Sequence, residues 1–148
     1  MTHYKPDYFR IEELVPPELF HQFRGRQHIV WQQLDARSLY SLDRLREIFG
    51  PAYVNTWLWG GRFEQSGLRT PNSQYYSPTS QHSHGRGFDV KFRNEDDYDK
   101  IRHIIVSNPL KDEFRFITCI EKDTPTWLHI DCRIWDKMAY GILQVPYR

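Results

Sequence analysis

Two short stretches of this chain alternate strictly between apolar and polar residues, and that alternation limits the fold more than any other feature. In "GFDVKFR", residues 87 to 93, Phe88, Val90 and Phe92 share one side while Asp89 and Lys91 take the other. In "WLHIDCR", residues 127 to 133, Leu128, Ile130 and Cys132 alternate with Trp127, His129, Asp131 and Arg133. Successive side chains of a strand point to opposite faces, so both segments read as half-buried strands with Asp89 and His129 turned away from the aliphatic side. "FRFITCI" reads as a third strand. "AYVNTWLW", bounded by Pro51 and Gly60-Gly61, reads as a fourth, with Trp57 and Trp59 on one face.

Helical spacing replaces alternation elsewhere. "DARSLYSLDRLREIFG" places Leu39, Leu42, Leu45, Ile48 and Phe49 on one stripe and stops at Gly50-Pro51. A shorter helix follows Pro16-Pro17 through Leu19, Phe20 and Phe23. "NEDDYDKIRHIIVSNP" predicts a helix capped by Asn94, with Tyr98, Ile101 and Ile105 inward, ended by Pro109. The tail packs a short helix or extended segment through Trp135 and Met138. Strands and helices without repeat or linker make one α+β domain over residues 1–148. The long polar stretch from Gly60 to Gly85 reads as a loop forming one wall of a site.

The 148 residues are 39% hydrophobic, enough for a core, and the formal charge is only +1. No basic tail or dense Lys/Arg run appears, which argues against nucleic acid as a partner. No apolar run follows a basic segment at the start, and no stretch is long enough to span a bilayer, so the expectation is cytoplasmic synthesis without a signal peptide, no membrane partner and a monomer. Cys119 and Cys132 read as core thiols, with pairing across neighbouring strands left open.

The chemistry concentrates in "SQHSHGRGFDV", residues 80 to 90. If the two alternating strands are neighbours, His82, Asp89 and His129 converge, and two imidazole nitrogens with one carboxylate form the set zinc uses when a fourth position stays open for water. Gly85 and Gly87 let the backbone turn closely around such a centre. The other reading is a turn whose histidines are ordinary hydrogen-bonded polar residues.

"SQHSHGRGFD" resembles the Ser-x-His-x-x-Gly-x-(small)-x-Asp signature of the zinc D-alanyl-D-alanine peptidases and murein endopeptidases, whose fold is shared with the Hedgehog signalling domain. Ser80, His82, Gly85, Gly87 and Asp89 match its offsets. "SGLRTPN" is similar to the family's Ser-Gly-Tyr-Arg segment, with Leu68 in the aromatic position and Arg69 as the arginine, and "WLHIDCRIW" to the segment of its last ligand. The resemblance covers roughly residues 8 to 136. It implies an antiparallel sheet with flanking helices and a long site-forming loop, and Zn2+ held by His82, Asp89 and His129. It further implies Arg69 on a substrate carboxylate or oxyanion, Ser80 as a brace, and His84 as either a substrate donor or merely exposed.

One position departs from the pattern. The dipeptidase-like branch carries a glutamate three residues before the last histidine, where this chain has Thr126, and a threonine hydroxyl is no base at neutral pH. Glu121, Asp123 and Asp131 are the remaining acidic candidates; Asp131, on the face of His129, is favoured as a site residue, either catalytic or orienting a ligand. The activity implied is hydrolysis of a peptide bond in bacterial peptidoglycan, by a phage lysin or a virion-associated wall enzyme. The alternatives are a non-catalytic virion or tail protein of the same fold stabilised by zinc, and a signalling or sugar-binding module.

Overall fold

A computed structural model describes residues 1–147; position 148, the last of the expected domain, lies outside the described residues. Helices α1 (Pro17–Gln22), α2 (Gln27–Trp31) and α3 (Ala36–Phe49) lead into strand β1 (Ala52–Tyr53). After a long irregular stretch come β2 (Gly87–Phe92), α4 (Tyr98–Ser107), β3 (Cys119–Glu121), β4 (Leu128–Asp131), α5 (Lys137–Tyr140) and β5 (Leu143–Val145). The strands form one five-stranded sheet in the order β1-β2-β4-β3-β5, so the fold is α+β.

The two alternating segments are β2 and β4, and they pair antiparallel. Their aliphatic sides, Phe88, Val90, Leu128 and Ile130, are buried with Ile120 of β3 against Leu39, Leu42 and Leu45 of α3 and Ile101 and Ile105 of α4. Each such side chain contributes roughly 1.5–3 kcal/mol by leaving water. Asp35 caps α3 by accepting from the Arg37 amide.

The sheet is mixed, not purely antiparallel. β4 folds back on β3, and the chain then reverses again through α5, so β5 reaches the far side of β3 running parallel to it. The strand expected over "AYVNTWLW" is confined to Ala52–Tyr53, and Trp57–Trp59 form a 3-10 turn. Asn55 ends the ladder: its amide donates to the Glu13 carbonyl, its side chain donates to the Val15 carbonyl, and it accepts from the Ser66 amide. The two tryptophans therefore share no strand face. Trp57 packs on Phe20 and donates to the Val15 carbonyl, while Trp59 is exposed.

Helix α4 starts later than expected, because Asp97 and not Asn94 accepts the amide three residues on, that of Lys100. "FRFITCI" pairs only from Cys119 onward. Both cysteines are free and buried, as expected for core thiols. No helix among the described residues is long and apolar enough to cross a membrane.

Candidate metal centre

Strand register builds most of the centre. Asp89 of β2 stands opposite His129 of β4. Ile120 of β3 stands opposite Ile130, so the same register carries Glu121 to the other side of His129. Asp89, His129 and Glu121 thus form a row across three strands on the face away from the core. His129 Nδ1 lies 2.9 Å from Asp89 Oδ1 and 3.3 Å from Glu121 Oε1.

His82 arrives from outside the sheet, on a 3-10 turn over Gln81–His84 that Ser80 caps by accepting from the His82 amide. Gly85 ends the turn at φ +68°, where a Cβ would also run into the Gln33 carbonyl. His82 Nε2 reaches to 3.3 Å from Asp89 Oδ1. One ligand atom from each of His82, Asp89 and His129 lies within 4.8 Å of the others. Gly85→Ala is expected to lower stability by roughly 2 to 4 kcal/mol and to displace His82. Thermal melts with and without metal check this: the variant should gain less from metal than the parent.

The outer partners fix which nitrogens face the centre. His82 Nδ1 lies 2.9 Å from the Gly67 carbonyl, which can only accept, so Nδ1 carries the proton and Nε2 keeps its lone pair. Gly67 itself is held close: its neighbour Leu68 donates to the Leu14 carbonyl, and a Cβ at Gly67 would collide with that carbonyl. His129 Nε2 bonds Asp131 Oδ2 at 2.9 Å, which leaves Nδ1 for the centre. Burial alone would lower the His129 pKa, but its hydrogen bonds to Asp131 and Asp89 prevail and raise it to about 10. His82 shifts downward, through burial. Burial would raise Asp89, but the two histidines hold its carboxyl well below the usual range.

Asp131 has a fully buried side chain and accepts from Arg133 Nε and Nη2 at 2.8 and 2.6 Å, so both its oxygens are taken. These bonds outweigh burial and lower its pKa to about 2. Arg69 Nη2 lies 3.4 Å from Asp89 Oδ2, its Nε donates to the Gln65 carbonyl, and burial draws its pKa down. Glu121 is part-buried, and burial raises its pKa. Arg69, His82, Asp89, Glu121 and His129 line one cleft of about 360 Å3. No known family model, curated protein or solved structure matches this chain. The centre stands on its own geometry.

The remaining candidates lie elsewhere. His84 is exposed and bonds the Pro78 carbonyl through Nε2 at 2.8 Å. Asp123 accepts from the Tyr147 amide, and Thr126 is exposed. Sequence reading missed the Gly67 carbonyl and Lys91, although alternation had put Lys91 on the face of Asp89. Burial lowers the Lys91 pKa to about 8, which leaves it charged at neutral pH.

Two nitrogens and one oxygen with fixed tautomers suit a divalent metal of the zinc type better than calcium or magnesium, which take oxygen-rich shells. Glu121 is not among the clustered ligands, so a carboxylate stands beside the set without belonging to it.

Proposed function

We propose that this chain is a zinc-dependent peptidase that hydrolyses a peptide bond of bacterial peptidoglycan. The observation that carries the reading is the place of Glu121, 3.3 Å from the metal-facing nitrogen of His129 and lining the cleft over the ligands. A purely structural site has no use for such a group, since metal clips are closed by their ligands. The peptidoglycan assignment rests on the three segments that resemble murein peptidases and on the order in which they occur.

Zinc, when bound, supplies an activated water and polarises the substrate carbonyl. Glu121 accepts the water proton and returns it to the leaving amine, and a pKa raised by burial suits a group that must do both. This fills the role that Thr126 cannot. Arg69 restrains the outer oxygen of Asp89 and steadies the developing oxyanion from the same cleft. Asp131 keeps His129 in register from behind. The role proposed for it is that of a phage lysin or a virion-associated wall enzyme.

Zinc-loaded protein incubated with purified sacculi of several peptide chemistries is expected to release fragments with new amino termini, identified by mass, and His129→Ala or chelation to stop the release. An equally active His129→Ala protein would sink the reading. Release from no wall type, with a melting temperature that still depends on zinc, would leave a structural metal.

A further inference from the structure

A second cavity, of about 490 Å3, adjoins the metal cleft towards Lys91 of β2 and Trp127, and Arg69, Asp89 and Tyr147 line both. Lys91 stands in its wall. The side chain is buried to nine-tenths, its Nζ donates to Ser66 Oγ at 3.0 Å, and the ammonium sits 4.1 Å from the centre of the Phe63 ring. Among the described residues Lys91 makes no ion pair. Buried charges are ordinarily paired, because an ammonium loses hydration worth several kcal/mol that a hydroxyl and a ring face only partly restore.

Other groups around this cavity are also unfulfilled. Gln65 and Trp127 each line it and each carry a buried polar atom, Oε1 and Nε1, with no hydrogen-bond partner among the described residues. Arg62 adds a second cation, stacked over the same Phe63 ring at 5.0 Å. Among the described residues Glu64, exposed at the rim, is the one carboxylate of the lining besides the metal-facing Asp89. The balance is cationic once Asp89 is committed to a metal.

We propose that this cavity is a carboxylate-binding subsite, in which Lys91, braced by Ser66 and Phe63, pairs with a free carboxylate of the peptide bound across the metal. The inference rests on the peptidase reading for its ligand class and extends it: substrates are acidic peptides, and Arg69 is left free for the oxyanion. Lys91 is a binding residue for specificity, not a participant in proton transfer.

The test titrates the zinc-loaded protein by calorimetry with acetyl-alanyl-alanine against its carboxamide, then with acetyl-glutamate amide against acetyl-glutamine amide. The first pair reports a C-terminal carboxylate and the second a side-chain one. One acid of the two pairs is expected to bind at least about tenfold tighter than its neutral partner, as a charge-assisted hydrogen bond allows. Lys91→Met, which keeps the buried stem and removes an unpaired charge, is expected to fold with an unchanged or higher melting temperature and to erase that preference; Lys91→Arg should restore part of it. A preference that survives Lys91→Met, or none in the parent protein, overturns the proposal. Sacculi left intact by a protein that still shows the Lys91-dependent preference would instead remove the peptidase reading and keep the subsite.

Discussion

Glu121→Gln is expected to bind metal as the parent protein does and to lose hydrolysis by about 10²- to 10⁴-fold, the range that a positioned general base contributes. Glutamine preserves the volume and the hydrogen-bonding reach but cannot take a proton. The metal should stay because Glu121 lies outside the clustered set of His82, Asp89 and His129. Asp131→Asn separates the two acidic roles that sequence alone left open. Its oxygens are spent on His129 and Arg133, so its loss is expected to weaken metal binding by about 10- to 100-fold, as removal of a partner behind a ligand does, and activity should return at saturating zinc. Metal content by mass spectrometry and turnover on a released peptide distinguish these outcomes. A Glu121→Gln loss smaller than about tenfold would remove Glu121 as the base.

The cluster of His82, Asp89 and His129, which could hold a metal ion, was legible because two independent regularities meet in it. Strand alternation puts Asp89 and His129 on one face, and a short capped turn delivers His82 beside them. Glu121 was only one acid among three, since choosing it needs the register of β3 against β4, and register is not visible in a single short segment with two paired positions. Asp131 was placed on the correct face, but its pairing with Arg133 depends on the chain turning after β4. The tryptophan segment failed for a definite reason: Asn55 satisfies the Glu13 and Val15 carbonyls ahead of α1 and the Ser66 amide, so the ladder stops at Tyr53 despite high strand propensity. Lys91 was seen as outward-facing, but its partner Ser66 lies 25 residues away in a loop with no periodic signal. Long-range loop contacts carry little pattern, and this site uses them at Gly67, Ser66 and Arg69.

Metal uptake is expected to release about one proton per ion and to strengthen about tenfold per pH unit between roughly pH 7 and 9. The source is His129. In the metal-free protein both of its nitrogens face carboxylates, and its pKa stands at about 10 against an ordinary 6.5. A raised folded pKa stabilises the metal-free protein fully below about pH 6.5, and that contribution fades as pH climbs toward 10. Zinc needs the Nδ1 lone pair, so across this window it must displace the proton, and each rise in pH makes the displacement easier. His82 adds little, because its pKa is already lowered and its ring is neutral throughout. Asp89 and Asp131, both depressed below their usual range, are ionised throughout and contribute no slope. Calorimetry in two buffers of different ionisation enthalpy measures the proton count, and melting temperatures with zinc and with chelator measure the gap, which should widen with pH. Taking the gap matters, since Lys91 and Lys137, both lowered by burial to about 8, make stability rise with pH above that value with and without metal, a contribution that the difference removes. His129→Ala should show neither proton release nor gap. A metal that binds the parent protein with no proton released would mean that Nδ1 is already bare, and that the row Asp89, His129 and Glu121 is not held together by charge when the metal is absent.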